Sequence, residues 1–205
     1  MNLAPVILAA GASRRLGEPK ALADLGGQSV LERLSGALRG IPSEQLVITG
    51  CHDPEIRDHA LRLVPAVEVA FNSSWSQGRT SGVALAAARR PGADLLICPA
   101  DVPLVGASVM EALAERWQEL GCPGAGWLAP SIILPASGGR QYGHPIILGA
   151  KLAAQACGLG PDAPLRLLRA RATPTATVET TDPAILDDLD TPADLRRLRS
   201  RLRGH

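Results

Sequence analysis

The chain has 205 residues, a hydrophobic fraction of 46% and a charged fraction of 20% that nearly cancels to a net charge of +1. This is enough chain to bury a substantial core in one domain, and the charge balance excludes a broad electrostatic surface for nucleic acid or anionic lipid. Aromatic residues, at 2%, are too few for the stacking platforms of single-strand binders, so the expected partner is a small molecule.

Cys51, Cys98, Cys122 and Cys157 stand far apart with no C-x-x-C pair, which supports neither zinc ligation nor a disulfide framework. Cys98, inside an apolar run, reads as a small core hydrophobe. The apolar run Leu3 to Ala12 has no Lys or Arg before it and leads at once into a glycine-containing charged loop, so it is read as a buried strand rather than a signal segment. No segment approaches the ~20 apolar residues of a membrane span, and a cytoplasmic protein is expected.

In chain order, Val6–Ala10 is predicted as a strand, with Pro5 at its start where a missing N–H is tolerated. Gln28–Arg39 follows as a helix with Val30, Leu31, Leu34 and Leu38 on one face. Leu46–Thr49 and Val67–Phe71 read as short strands separated by a polar helix from about Asp53. Ser81–Arg90 is an alanine-rich helix ended by Pro91-Gly92, Asp94–Cys98 a buried strand, and Ala107–Leu120 a helix ended by Gly121. The Gly- and Pro-rich stretch from Gly121 to Gly143 resists placement, but Ile132–Leu134 and Pro145–Leu148 suit strands of a small subsheet flanking the site. Ala172–Glu179 is a further strand. Pro192–Arg203 is a final helix whose Leu195, Leu198 and Leu202 make an apolar stripe, so its five arginines decorate a docked amphipathic helix. Repeated strand–helix alternation predicts an α/β fold with a mainly parallel sheet.

The most informative stretch is Leu8-Ala9-Ala10-Gly11-Ala12-Ser13-Arg14-Arg15-Leu16-Gly17-Glu18-Pro19-Lys20. It lies at the carboxyl end of the first strand, where open α/β sheets bind ligands. Small residues there let the backbone approach a nucleotide, and Arg15 and Lys20 supply positive charge for a triphosphate and a pyrophosphate leaving group. A Walker A loop is excluded, because five residues separate Gly11 from Gly17 and Lys20 follows three positions later; G-x-G-x-x-G is absent as well. An ordinary strand-to-helix loop with exposed basic residues is the plain alternative. The stretch resembles the MobA-like NTP transferase family, whose signature L-A-x-G-x-S-x-R-x-G-x-x-K is complete from Leu8 to Lys20. Gly26-Gly27-Gln28 is similar to that family too. The resemblance implies a Rossmann-like three-layer α/β/α fold spanning residues 1–205, with an NTP-binding half at about 1–105 and an acceptor-side elaboration at about 121–190. It implies nucleotide binding by Leu8, Ala9, Ala10, Gly11, Ser13 and Lys20.

Nucleotidyl transfer needs a metal to offset charge on the phosphates, and Mg2+ favours one or two carboxylates plus water. Asp101 follows the Leu95–Cys98 strand directly, and Asp101-Val102-Pro103 resembles the family's D-x-P motif, whose aspartate holds the metal. Asp188-Leu189-Asp190-Thr191-Pro192-Ala193-Asp194 resembles its D-x-D-T-P-x-D motif, which implies Asp190 as the second metal-facing carboxylate with Asp188 in support. Asp190 or Thr191 also suits a cap for the last helix. Asn72 to Ser81 resembles N-x-x-W-x-x-G, which places Asn72, Gly78 and Ser81 with the nucleotide; Trp75 serves either ligand or packing. Gly143-His144-Pro145 is similar to a segment of molybdenum cofactor cytidylyltransferases that lies on the acceptor side, and His144 serves either an acceptor phosphate or a structural hydrogen bond. His52 and His59 read as surface residues.

The resemblance implies transfer of CMP from CTP to a phosphorylated pterin, with Mg2+, and a molybdenum hydroxylase apoenzyme as a partner. Leu8-Ala9-Ala10-Gly11 matches the CTP users, whereas Val102 in place of Gln and Gly82 in place of Ser depart from them. Guanylyl transfer to the same acceptor, transfer to another phosphorylated metabolite, and a nucleotide-binding cofactor carrier without turnover are the alternatives.

Overall fold

The computed structural model describes residues 2–134, 137–160 and 163–203. Its core is one eight-stranded sheet. The first half consists of β1 (Leu3–Leu8), β2 (Leu46–Thr49), β3 (Glu68–Phe71) and β4 (Asp94–Pro99), all parallel, in the spatial order β3-β2-β1-β4. The connecting helices are α1 (Val30–Ala37), α2 (Asp53–Ala60) and α3 (Arg79–Arg89), followed after β4 by α4 (Ala107–Glu119). Alternate residues of each strand feed two separate cores. Ile7, Val47 and Leu96 pack with Leu31 and Leu34 of α1, Ile56 of α2 and Leu113 of α4. Val6, Ile48 and Ile97 pack on the other face with Val83 and Ala86 of α3.

β1, β2 and β4 are buried throughout and rich in β-branched residues and leucine, which is why apolar runs rather than alternation marked them in the sequence; the edge strand β3 is only partly buried. β1 starts at Leu3, earlier than its apolar pattern indicates. Pro5 is accommodated because it shares parity with Ala9, whose N–H reaches Ile48 O at 2.8 Å, and the β2 ladder begins only at Val6↔Leu46. The nitrogen of Pro5 therefore faces a position before pairing starts.

The second half contains β5 (Trp127–Ile133), β6 (Arg140–Tyr142), β7 (Ile146–Leu148), α5 (Ala150–Ala154), α6 (Arg166–Arg171), β8 (Thr175–Glu179) and α7 (Pro192–Arg203). The strands expected as a separate subsheet prove continuous with the parallel half, because β7 pairs antiparallel with β4 through Leu95↔Leu148 to Ile97↔Ile146. β5 begins at Trp127 rather than Ile132; its first residues lie beside Gly126 and contain Pro130, which disguised the strand. β6, three exposed residues, and the short α5 and α6 carry too little pattern to be read from sequence. One edge of β5 is shared by β6 and β7, and the register steps by two residues between Ser131↔Tyr142 and Leu128↔Ile147. His144 and Pro145 are thereby pushed out as a bulge, a feature that re-aims side chains next to sites.

The final helix docks as its leucine stripe predicts: Leu195 and Leu198 are buried and Leu202 partly so. Thr191 caps it, with Asp194 N–H donating to Thr191 Oγ1 at 3.2 Å and Thr191 N–H returning to Asp194 Oδ2 at 2.8 Å, a reciprocal capping box. Asp194 is thus a cap partner rather than a plain surface charge, and it frees Asp190 from capping by its own carboxylate. Cys98 is buried, and desolvation pushes its thiol far above the ordinary range. No helix among the described residues is long and apolar enough to cross a membrane.

Asp94 ties the two halves of the sheet. Its buried carboxylate accepts from Trp117 Nε1–H at 2.9 Å and from the Ala150 N–H at the start of α5, also at 2.9 Å. Asp94→Ala would strand the buried indole N–H and the helix amide, and about 3 kcal/mol of stability should be lost in urea denaturation.

Candidate functional site

In the order β3-β2-β1-β4 the chain runs outward from β1 to β3 and then returns to the other side of β1. The loops leaving β1 and β4 lead to α1 and α4 on one face while α3 packs on the other, and a crevice opens at the carboxyl ends of β1 and β4 beside the start of α3. A cavity of about 390 Å³ lies there, inside the range of roughly 300–1,000 Å³ usual for small-molecule sites.

The glycine-rich loop forms one wall. Ser13 takes the left-handed conformation, with φ of 51°, and the fold holds it there: its carbonyl accepts from Leu16 N–H and Gly17 N–H, and its Oγ accepts from Lys20 N–H at 3.0 Å. The loop is braced from behind by the turn after β2. Cys51 N–H donates to Ala10 O at 3.1 Å, and His52 Nε2–H to Ala12 O at 3.1 Å. His52 is half-buried and structural, not a surface residue as expected. His59, also half-buried, has Nε2 2.8 Å from Ser29 Oγ at the capping box of α1. Gly50 is required at the brace, since a Cβ there would fall 2.5 Å from Ala10 O and 2.6 Å from Trp75 Cβ.

Two carboxylates face this wall, each carrying basic partners. Asp190 receives Lys20 Nζ at 2.5 Å and Arg15 Nη2 at 2.7 Å. The Lys20 hydrogen bond, reinforced by both positive charges and opposed by burial, holds its carboxyl below the usual range. Asp101 receives Arg79 Nη2 at 2.7 Å through Oδ2, while its Oδ1 is buried without a hydrogen-bond partner among the described residues. The backbone links the two: Leu189 N–H donates to Asp101 O at 2.7 Å. Asp188 lies in the same field, and burial together with the charges of Asp101 and Asp190 raises its carboxyl above the ordinary value. Asp187, by contrast, is consumed by Arg197 and Arg201 of α7.

His144, on the bulge, completes the group. Arg79 Nη1 donates to its Nε2 at 3.3 Å, which puts the imidazole proton on Nδ1, a buried atom with no partner among the described residues. Burial, then the Arg79 charge, pushes its pKa down to about 4 despite Asp101, so it is neutral at physiological pH.

Of the residues predicted from sequence, Leu8, Ala9, Ala10, Gly11 and Ser13 line the cavity, as do Arg15, Lys20, Asn72, Gly78, Asp101 and Asp190. Ser81 lies outside that lining and organises the loop instead: its Oγ accepts from Asn72 Nδ2–H at 2.8 Å and lies 2.8 Å from Gly78 O. His144 and Asp188 flank the cavity beside Asp101. Trp75 is half-buried and lines the cavity while packing on Gly50, which shows its packing role. Arg79 was not foreseen, although its position directly after Gly78, as the first residue of α3, was the available signal. With Arg14, Arg15, Lys20 and Arg79 facing Asp101 and Asp190, the lining carries an excess of positive charge and suits a polyanion.

Residues 5–175 match the MobA-like NTP transferase domain. The chain belongs to the MobA-like NTP transferase family. Among curated MobA-like relatives and others, the bifunctional protein GlmU of Synechococcus is 32% identical over 144 residues, 69% of this chain and 23% of that protein. A probable molybdenum cofactor guanylyltransferase of Carboxydothermus hydrogenoformans is 31% identical over 118 residues, 58% of this chain and 56% of that protein. The matched stretch therefore spans about a quarter to about half of these relatives. A nucleotidyl transferase from Methanothermobacter superposes with a TM-score of 0.78 at 23% identity, covering 99% of both chains, which shows a shared fold, the Rossmann-like α/β architecture expected.

Two measurements follow from the site. Gly50→Ala should displace the glycine-rich loop, costing about 1–3 kcal/mol in thermal or chemical unfolding and weakening NTP binding in calorimetry. Asp188→Asn should raise the melting temperature at pH 7. A carboxyl whose folded pKa is raised costs stability once pH exceeds its unfolded value near 3.8, so the gain should vanish as pH falls through that value.

Proposed function

We propose that this chain transfers a nucleoside monophosphate from an NTP to a small phosphorylated acceptor, and that the pair is CTP and molybdopterin cofactor. The observation that carries the reading is the cavity at the β1–β4 switch point, where the cations of the glycine-rich loop oppose Asp101 and Asp190. In this reaction an acceptor phosphate oxygen attacks the α-phosphorus of the NTP. A new P–O bond forms, the bond from the α-phosphorus to the bridging oxygen breaks, and pyrophosphate leaves with the electron pair. An acceptor phosphate is already anionic, so no strong general base is needed; positioning and charge stabilisation carry the rate.

Within that scheme the small residues Leu8–Gly11 admit the nucleotide close to the backbone, and Arg15 and Lys20 stabilise charge on the departing pyrophosphate. Asp101 and Asp190 are the residues that would hold Mg2+, and the unpartnered, buried Asp101 Oδ1 fits such a ligand. The ion would supply charge neutralisation across the phosphates. Asp188, with its raised carboxyl, adds negative potential behind both. Ala10 lines the cavity, and the base assignment is supported by the likeness of Leu8-Ala9-Ala10-Gly11 to the CTP users.

Guanylyl transfer to the same acceptor is the second reading, favoured by the guanylyltransferase name of the Carboxydothermus relative. The deciding experiment is pyrophosphate release with each NTP, Mg2+ and molybdopterin cofactor. Release with CTP alone, falling about 10²- to 10³-fold in Asp101→Ala, is expected. Release with GTP alone transfers the assignment to the second reading, and turnover that survives Asp101→Ala refutes the metal assignment. Ala10→Gly should narrow the preference for CTP over GTP.

A further inference from the structure

Arg79 has no role in the scheme above, yet it contacts both the metal-facing carboxylate and the acceptor-side histidine. One guanidinium nitrogen lies 2.7 Å from Asp101 Oδ2 and the other 3.3 Å from His144 Nε2. Both partners are left half-satisfied, with Asp101 Oδ1 and His144 Nδ1 buried and without hydrogen-bond partners among the described residues. Buried polar atoms are ordinarily paired, and two orphans beside one ion pair indicate groups whose partner is a ligand. The side chain of Arg79 is 41% exposed, on the first residue of α3, so it can rotate without disturbing the helix. A planar guanidinium held in this way matches a phosphate better than it matches a single carboxylate oxygen.

Resting on the transferase reading, we propose that Arg79 is a partner-switching residue: it rests on Asp101 in the empty site and, when a divalent cation takes Asp101, binds a phosphate monoester of the acceptor beside His144. The two states conserve charge locally. In the empty site Arg79 places its positive charge on the carboxylate a cation requires, and Asp101 occupies the fork a phosphate requires. Cation and acceptor phosphate thus each remove the other's competitor, which couples their binding reciprocally. His144, held neutral and bulged from the β6–β7 edge, contributes a polar ring without a charge that would repel Arg79.

The test uses the full chain and two simple probes. Mn2+ is titrated into wild type, Arg79→Gln, Arg79→Lys and Asp101→Ala, read by electron paramagnetic resonance, with circular dichroism as the control for folding. Inorganic phosphate is then titrated calorimetrically into protein saturated with Mn2+ and a non-hydrolysable NTP analogue. Arg79→Gln should bind Mn2+ about fivefold more tightly while losing phosphate, and Arg79→Lys should retain part of the phosphate binding. A purely structural arginine would not shift the two ligands in opposite directions. Unchanged Mn2+ affinity in Arg79→Gln, with binding still abolished by Asp101→Ala, overturns this proposal alone, as does phosphate binding equal to wild type. Exclusion of phosphate by the NTP analogue overturns the acceptor placement, assigning Arg79 to the nucleotide's own phosphates. Mn2+ binding indifferent to Asp101→Ala would bring down the metal assignment on which the proposal stands.

Discussion

Opposite charges packed across a single crevice organise this protein. Asp190 is held by Arg15 and Lys20 from a loop some 170 positions earlier, and Asp101 is held by Arg79 from a different helix. Each carboxylate is partly exposed, so each pair taken alone contributes little to stability. Their consequence is positional. They draw the ends of β1 and β4, the start of α3 and the loop before α7 to one place, and the Leu189–Asp101 backbone bond fixes their relative height. The paired charges thus hold the walls of the cavity in place without a ligand, which leaves little to organise on binding.

Topology explains why these segments meet. β1 and β4 are adjacent, in register from Leu3↔Asp94 to Leu8↔Pro99, although about ninety residues separate them. The loops that follow them lead to α1 and α4 on one face, α3 covers the other, and the crevice lies at the strand ends beside the start of α3. The turn after β2 then acts as a buttress, where the lack of a side chain at Gly50 lets the Ala10 carbonyl and Trp75 close in. On the far side, the two-residue bulge between β6 and β7 sets His144 next to Asp101. The parallel half, which carries the glycine-rich loop, is thereby extended by antiparallel strands that furnish an opposing surface.

The site is also where the molecule accepts unfavourable physics. Asp188 is placed between two carboxylates and against its own preference for ionisation. Of the three buried side-chain atoms without a hydrogen-bond partner among the described residues, Asp101 Oδ1 and His144 Nδ1 belong to the two groups that Arg79 contacts, and Gln45 Oε1 belongs to the residue before β2. The cores show the opposite economy: Asp94, the buried carboxylate of the sheet interior, has a partner on each oxygen. Two unpaired buried atoms on residues that share one arginine partner, beside a cavity, mark a candidate binding site.

Much of this was legible in the sequence, for local reasons. Uninterrupted apolar runs marked β1, β2 and β4, because a parallel strand buried on both faces leaves no alternation to read, and helical spacing marked α1, α4 and α7. The loop from Leu8 to Lys20 stood out because glycine, charge and strand-end position coincide within a few residues, Asp101 because it directly follows a strand, and Asp190 through the resemblance of its surroundings to a family motif. β6, the short helices and the first half of β5 left no such mark, since three polar residues or a Gly- and Pro-rich run carry no period. The pairing of residues distant along the chain was equally hidden. Arg79 is one arginine among many until α3 sets it between Asp101 and His144; His52 looks like a surface residue until the turn after β2 brings it under Ala12. Sequence by itself determined which segments become strands and helices and which loops carry chemistry, because those follow from hydrophobic period and backbone freedom. Only the tertiary structure decided which charges neutralise one another and which polar atoms remain unpaired, because both depend on distances set by strand order and register.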